Sequence, residues 1–472
     1  MTAFIIFISL LFAIRLIRWL AIIQQKEYRL DRISSFLTSK EGQAELIKLF
    51  PSLQDLTPSG FKRPQVTLRG ILVGILTIYV ATPTFFVVFT LLKLPLVAIL
   101  ILIHLLTPLI TIIANLPTSL VYTLATNYLL GKAIHKIKKS RPIIIGITGS
   151  YAKTSTRHLL AHMLSQQFSV YTPPKSFNNP LSIAQSINHH YKNQKILILE
   201  YAAYKQGEIK RLAHWFPPQV GIITGISSQH LSLFGSLSKL IKAKSELIHA
   251  LLPKTPLFCN GTDPQLVKMC QNRKFTDYSN IKLTSPKLNP KGQLSFTWNK
   301  SKITTKLIGQ HYLYNIKACI SVSQHFKLTN HQITTSLKTF TPKSNFIKSN
   351  TLKSGALLLD DSGTSNLKGF EAAIKLAHNT KRKQNILIFG GIIDLGKQSV
   401  SIHADLAKKA KYIFTKVIYT GIEGKSQFKS VFKTNLVANQ KDIVALISQT
   451  NKHTLILLEG FIPKHLKEQI KS

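Results

Sequence analysis

The sequence predicts an α/β protein preceded by membrane helices, and three observations carry that expectation. Residues 71–92 and 94–131 are apolar runs without a charged residue. From about residue 141 short apolar strands alternate with helical stretches. At the head of that alternation stands Ile143-Ile-Ile-Gly-Ile-Thr-Gly-Ser-Tyr-Ala-Lys-Thr-Ser-Thr156. It reads as a buried strand, a glycine-containing turn, and a helix opened by Lys153 and Thr154.

The elements follow in order. Residues 3–23 form the first membrane helix, read as an uncleaved anchor. A signal peptide would carry its charge before the apolar run and a small-residue cleavage site after it. Here Arg15 and Arg18 interrupt the run instead, and they are expected near the cytoplasmic face. An uncharged stretch of about 18 or more apolar residues is long enough to cross a bilayer, so residues 70–92 and 94–115 are expected as a membrane hairpin. A buried helical hairpin in a soluble protein would need a very large core around two such runs. The loop 24–69 and the segment Lys132–Arg141 are rich in Lys and Arg. Positive-inside bias places both in the cytoplasm and the N-terminus outside. Pro117–Leu130 is short for a span and reads as interfacial or re-entrant.

Beyond residue 141 the strands are Ile143–Ile147, Ile196–Glu200, Val220–Thr224, Ala356–Asp360, Ile386–Gly390, Val417–Thr420 and Leu455–Leu458. Helices such as Thr154–Gln166, Lys239–Leu251, Leu367–Leu376 and Ile402–Ala410 fall between them. This is the rhythm of parallel sheets with helical crossovers. Around 285–310, Pro, Gly, Ser, Thr and Lys dominate short strands, which predicts a β-rich edge or hairpin. Residues 339–353 read as an interdomain linker. The expected organisation is a membrane region 1–138, a central domain 139–340 and a smaller C-terminal domain 341–472.

The net charge is +42, from 61 Lys and Arg against 19 Asp and Glu. The lysines are scattered, with no Arg-rich block and no nucleic-acid-binding signature. Nucleic acid is therefore not expected as a partner. A solvated basic surface attracted to anionic lipid is. Cys259, Cys270 and Cys319 form no CxxC or metal pattern, so buried free thiols in a reducing cytoplasm are expected.

The 143–156 segment has the layout of a phosphate-binding loop. Backbone N–H groups and a helix N-terminus face an anion, a Lys reaches the outer phosphates, and a hydroxyl is left for Mg²⁺. On that reading the nucleotide lies against Gly146, Thr148, Gly149, Ser150, Ala152, Lys153, Thr154 and Ser155. The spacing departs from the common form, because Ala152 replaces the Gly before the Lys and Ile147 stands where the first Gly would be. A plain structural turn has the same local look.

Other residues gather after it. Glu200 ends an apolar strand, where open α/β sheets bind ligands. It can hold Mg²⁺ or cap a helix. His230, in the loop after Val220–Thr224, can be a metal ligand or a structural histidine. Lys244 lies on a helix and can be a solvated surface lysine. Leu358-Leu-Asp-Asp-Ser-Gly-Thr-Ser-Asn366 and Ile386-Leu-Ile-Phe-Gly-Gly-Ile-Ile-Asp-Leu-Gly396 are functional strand ends or ordinary turns rich in turn-forming residues.

Taken in order, these segments resemble the Mur ligase family, in particular the branch that adds D-alanyl-D-alanine to a peptidoglycan precursor. The resemblance runs over about 141–472. It rests on Gly146-Ile-Thr-Gly-Ser150 with Lys153-Thr154-Ser155, on Phe177-Asn-Asn-Pro180, and on Leu199-Glu200 followed by Gly207-Glu-Ile209. It continues through Ile222-Ile-Thr224, His230-Leu231, Phe234-Gly-Ser236 and Ala243-Lys244-Ser-Glu246. Asn260 with Asp263, Gly309-Gln-His-Tyr-Leu-Tyr-Asn315 with Ala318, Leu359-Asp-Asp361-Ser362 with Asn366, and Gly390, Leu395-Gly396 and His403 complete it.

The resemblance implies a P-loop-type central ATPase domain, a Rossmann-like C-terminal domain and an ATP-dependent, amide-forming ligase. Its cofactors would be ATP and Mg²⁺. One substrate would be an acid that is phosphorylated, the other an amino-acid or dipeptide amine. By the same resemblance Lys153 would contact the β- and γ-phosphates, Thr154 and Glu200 would share one Mg²⁺, and His230 would bind a second. Lys244 would be the carbamylated lysine. Asn315 would contact adenine, and Asp361 would contact the nucleotide from the C-terminal domain. Three departures go with it: Ala152, no Arg near Lys343, and membrane segments where the family has a UDP-binding domain. The last leaves room for a lipid-linked acceptor. The expected protein is a multi-pass plasma-membrane ligase with a cytoplasmic catalytic part. A non-catalytic nucleotide-binding scaffold on the same fold is the alternative.

Overall fold

A run of isoleucines makes the first strand of the soluble part. β-branched side chains lose rotamer freedom in a helix and pack well on a pleated sheet. In a computed structural model of the chain, Ile143–Thr148 is a six-residue strand, buried from Ile144 onward on both faces, as expected of a central parallel strand. The structure describes residues 2–51, 63–93, 95–174, 177–227, 234–343, 346–362, 366–392, 395, 398–437 and 440–471. The chain divides into two units, Met1–Leu129 and Leu130–Ser472.

The first unit is helical. Its elements are α1 (Thr2–Gln25), α2 (Leu30–Leu37), α3 (Lys40–Ile47), α4 (Leu68–Leu92) and the start of α5 (Leu96–Ser140). Three of these helices are long and apolar enough to cross a membrane. Two sequence expectations change. The stretch 24–69 is not a simple polar loop, because it carries α2 and α3. Pro117–Leu130 is not a separate segment, because α5 runs unbroken through Pro108 and Pro117. A proline removes one ladder donor, and hydroxyls can re-satisfy the freed backbone. Thr107 Oγ1 donates to His104 O, the carbonyl left by Pro108, at 2.9 Å. Phe12, Val80, Ala81 and Ile103 pack in one apolar cluster. Thr67 caps α4 by accepting from Gly70 N at 3.1 Å. Arg69 is held between the rings of Tyr28 and Tyr122 at 4.5 and 4.7 Å.

The second unit contains two six-stranded sheets. Strands β1 (Ile143–Thr148), β2 (Val170–Tyr171), β3 (Ile196–Glu200), β4 (Val220–Ile223), β5 (Leu257–Cys259) and β6 (Thr276–Asp277) lie in the order β2-β3-β1-β4-β5-β6. Every pair is parallel. Helices α6 (Lys153–Leu164), α7 (Pro180–His190), α8 (Glu208–Trp215), α9 (Leu237–Ala250) and α10 (Pro264–Cys270) alternate with them. The β-rich edge expected near 285–310 is a separate antiparallel sheet of β7 (Thr284–Leu288), β8 (Gln293–Trp298) and β9 (Ser301–Ile308). Helices α11 (Tyr312–His325) and α12 (Asn330–Thr339) follow. Ile145, Ile147, Leu160, Met163, Ile316 and Ile320 share one core, each fully buried side chain contributing about 1.5–3 kcal/mol.

The second sheet has the order β10-β11-β15-β12-β13-β14, from β10 (Lys348–Thr351), β11 (Leu357–Ser362), β12 (Gln384–Phe389), β13 (Lys416–Tyr419), β14 (Leu436–Val437) and β15 (Thr454–Gly460). Only β10 is antiparallel. It occupies part of the stretch read as a linker, because polar residues suit a sheet edge. Helices α13 (Leu367–Asn379), α14 (Ser399–Lys411), α15 (Lys425–Phe432), α16 (Gln440–Ser448) and α17 (Lys464–Lys471) complete it. Phe370 stacks on Phe389 at 4.3 Å in its core. The three cysteines are free and buried, with Cys259 and Cys270 sulfurs 3.5 Å apart.

Candidate functional site

Parallel pairing brings the site together. Ile147 lies opposite Glu200 and Thr148 opposite Ile223, so β1, β3 and β4 end side by side beneath the turn 149–152. Loops at the carboxyl ends of such strands are where open sheets bind ligands.

The turn is tightly fastened. Gly149 has φ 146°, and a Cβ there would lie 2.1 Å from Thr224 Oγ1, so the backbone approach requires glycine. Thr224 Oγ1 donates to Tyr151 O at 2.6 Å, and Ser150 N donates to Gly225 O at 2.7 Å. Ala152 adopts φ 65°, the left-handed conformation that usually falls to glycine. Directly after it α6 begins, with its first N–H groups at the turn. Lys153 Nζ donates to Gly149 O at 2.6 Å. Desolvation lowers its pKa, partly opposed by Glu200.

Other predicted loop residues serve the fold. The Thr148 hydroxyl donates to Tyr201 O at 2.7 Å, and Ser150 Oγ donates to Ser227 O at 3.2 Å. Gly146 lies inside β1, where a Cβ would press on Tyr201, Leu247 and Pro218, so its small size serves packing. Thr154 and Ser155 lie half-buried in the first turn of α6.

Glu200 is buried, and its Oε1 meets Arg157 Nε at 2.8 Å. Arg157 also donates to Thr172 Oγ1 at 3.0 Å and to Pro173 O. The sequence reading missed Arg157. Its signal was the four-residue spacing from Lys153, which puts both cations on one face of α6. Glu200 therefore pairs with Arg157 and feels the charge of Lys153.

Lys244 is a buried residue, 4% exposed, and not a solvated lysine. Its Nζ donates to Ala203 O at 3.4 Å and lies 5.9 Å from the Phe234 ring centre. Desolvation, reinforced by Lys153, pulls its pKa down to about 7, while Glu208 and Glu246 oppose the shift. Ala203 follows the end of β3, so this contact brings Lys244 to the carboxyl edge of the sheet. Glu246 accepts from Gly207 N at 2.6 Å and Lys210 N at 2.9 Å, so it caps α8. His230 lies outside the described residues. Among the described residues no cluster of three His, Cys, Asp or Glu side chains is suited to a metal ion.

A cavity of about 1110 Å³ adjoins the turn. Tyr151, Ala152 and Asn315 line one side, with Asp361, Lys368 and His378 on the other. Asn315 Nδ2 donates to Ala152 O at 3.3 Å and Thr156 Oγ1 at 3.0 Å, tying α11 to the start of α6. Burial, Asp263 and Tyr314 raise Tyr151 to about 12. Burial raises Asp361 to about 6 despite its hydrogen bond with Glu459, and Asp360 adds to the rise. Glu459 is raised well above the carboxylate range by burial and by Asp361. The two carboxyls are register partners on β11 and β15, and burial favours the protonated form of each. His403 is structural: it accepts from Ile392 N through Nε2 at 3.1 Å, while Nδ1 faces Ser399 O at 2.7 Å.

Residues 147–323 match the Mur ligase middle domain. The UDP-N-acetylmuramoyl-tripeptide–D-alanyl-D-alanine ligase of Mycobacterium tuberculosis is 27% identical over 57% of this chain and 56% of its own length. The chain thus spans little more than half of that relative. MurF from Acinetobacter baumannii superposes with a TM-score of 0.66 at 20% identity, covering 73% of this chain and 80% of its own. MurF from Thermotoga maritima in complex with ADP gives 0.63 at 22% identity, covering 73% and 82%. At this identity the structural likeness establishes the fold. Residues 147–323 thus match the Mur ligase middle domain, and the chain resembles ligases of the D-alanyl-D-alanine-adding branch.

Proposed function

We propose that the chain is a membrane-anchored, ATP-dependent ligase that joins a carboxylic acid of a cell-envelope peptide precursor to an amino-acid or dipeptide amine. The observation that carries this reading is the convergence of Lys153, Glu200, Arg157 and Lys244 at one glycine turn. A purely structural turn has no use for so much buried charge, since unpaired buried charge is costly.

ATP binds with its phosphates against the N–H groups of the turn and α6, and its base toward the Tyr151–Asn315 side of the cavity. Lys153 exchanges its bond to Gly149 O for the outer phosphates. The acceptor carboxylate attacks the γ-phosphorus and ADP leaves. The amine then attacks the acyl phosphate, forming the amide and releasing phosphate. Lys153 and Arg157 offset charge that spreads over the transferring group.

Magnesium fits this donor set. Thr154 would supply a hydroxyl, and Glu200 a buried carboxylate at the carboxyl end of β3. Mg²⁺ commonly takes one or two carboxylates and completes its shell with phosphates and water. When bound, the ion neutralises phosphate charge. Lys244 is suited to carbamylation, because CO₂ adds only to an unprotonated amine and its ammonium is readily deprotonated. The carbamate then presents a carboxylate near the phosphates.

One observation favours the scaffold reading: the Glu200–Arg157 pair already balances the carboxylate. A single experiment decides between them. Purified full-length protein is screened with ATP, candidate peptide acids and amines, and ADP and product mass are measured. Amine-dependent ADP release with a product of the summed mass less one water establishes the ligase. Nucleotide binding without ADP release across the set supports the scaffold.

A further inference from the structure

The first unit contains a charged cluster that the ligase reading does not use. On α1, Arg18 forms a bidentate pair with Glu45, Nε to Oε2 and Nη2 to Oε1 both at 2.7 Å. One turn away Arg15 donates from Nη2 to Leu46 O at 2.9 Å. On α5, His104 Nε2 lies 2.9 Å from Leu49 O. A single short strap, residues 45–49, therefore answers three donors from two long helices with one carboxylate and two carbonyls.

The match is incomplete. Arg15 is 5% exposed and His104 6%. Arg15 Nε and Nη1 and His104 Nδ1 have no hydrogen-bond partner among the described residues. Two Arg15 N–H groups are left over, while His104 Nδ1, on a ring that gives its Nε2–H to Leu49 O, is a lone-pair acceptor.

The level of the cluster departs from the expectation that Arg15 lies near the cytoplasmic face and that the whole of 24–69 lies in the cytoplasm. Phe12, Val80, Ala81 and Ile103 pack together, so Arg15 and His104 stand near the halfway point of α4. At about 1.5 Å per residue, Ala81 is roughly 17–20 Å from either end of that helix. Ile47 in the strap and Phe50 directly after it are 77% and 62% exposed, side chains suited to lipid rather than water. Charged groups at such depth face the interior and mark sites of function.

We propose that Arg15 and His104 form an intramembrane site for a phosphate-type oxyanion, and that the strap 45–49 stands in its place until such a ligand displaces it. A phosphate offers several acceptor oxygens to a planar guanidinium and an imidazole N–H, which satisfies the donors the strap leaves over. The apolar surroundings favour a phosphate carried on a lipid. The proposal does not depend on ligase activity.

The test uses the full chain in phosphatidylcholine nanodiscs, a tritiated long-chain alkyl monophosphate as probe and inorganic phosphate as competitor. The wild type retains the probe. Arg15→Gln retains it about tenfold more weakly, as expected for loss of a charge-assisted contact. Glu45→Gln, which loosens the strap, retains it several-fold more strongly, a gain that misfolding cannot produce. No displacement by inorganic phosphate identifies the lipid as the source. Displacement at similar concentration keeps the oxyanion site and assigns it to a free phosphate. Equal retention by wild type and Arg15→Gln, or a Glu45→Gln variant that binds no better than wild type, overturns the proposal.

Discussion

Ala152 is a side chain in a glycine's conformation. A left-handed backbone costs a non-glycine residue on the order of 1 kcal/mol, and the hydrogen bonds on either side of the turn hold it there. Ala152→Gly is expected to keep or raise ATP affinity and to raise thermal stability slightly. Calorimetric titration with Mg-ATP checks this, and a clear loss of affinity would mean that the Cβ contributes a contact. Lys153→Ala should weaken ATP binding by about 1.5–3 kcal/mol, the usual worth of a hydrogen bond to a charged group, and abolish ADP release. For Lys244, the pKa near 7 sets the pH dependence. Carbamate should form from ¹³C-bicarbonate above about pH 7 and fade below it as the amine is protonated. Lys244→Ala should lose the carbamate resonance and most activity, with partial rescue by short carboxylic acids. Full activity without such acids would return Lys244 to an ordinary core lysine. Lys153 was legible in the sequence because a strand, a turn and a helix start are local. Arg157 was not, because its partner Glu200 lies on another strand and only register joins them.

Among the elements, the register of β11 against β15 sets Asp361 beside Glu459. Both carboxyls have folded pKa values raised above their ordinary ones. Such groups bind protons more tightly in the folded state, so their stabilising effect is present at low pH. It is lost as pH rises through the carboxylate range to about 6 and beyond. Glu459→Gln should therefore raise the melting temperature at pH 8 and flatten its slope between about pH 4 and 7. An unchanged slope would show that burial does not hold the Glu459 carboxyl protonated. Strands β1, β3, β4, β11, β12, β13 and β15 were readable from their apolar runs, whereas the short β2, β5, β6 and β14 were not. The edge strand β10 was not, because Lys348–Thr351 carries no β pattern and pairs only because Leu357–Asp360 offers an open edge. The unbroken course of α5 was equally hidden. Prolines ordinarily mark helix ends, and only the placement of Thr107 against His104 O shows how one is absorbed.

At the scale of the whole molecule, the basic charge and the apolar helices together predict topology. A cysteine placed at Lys300, on the antiparallel sheet, should resist an impermeant thiol reagent applied to intact cells and react after lysis. The natural cysteines are buried and give little background. Strong labelling before lysis would overturn the assignment of the soluble part to the cytoplasm. The division into membrane-like and α/β portions was visible from composition alone. The helices within 24–69 were not, since their stability comes from contacts with α1 and α5 rather than from local pattern.

Both large sheets end bluntly. Three of their four outer strands, β2, β6 and β14, are two residues long, and the fourth, β10, is polar and begins with a lysine. An outer strand is where a foreign chain can zip on and seed a fibril. Here there is almost nothing to zip onto, and the like charge of neighbouring copies repels approach. A protein confined to a membrane surface meets its own copies far more often than one free in solution. For the membrane-anchored protein proposed above, these stubs would allow crowding without accretion into aggregates.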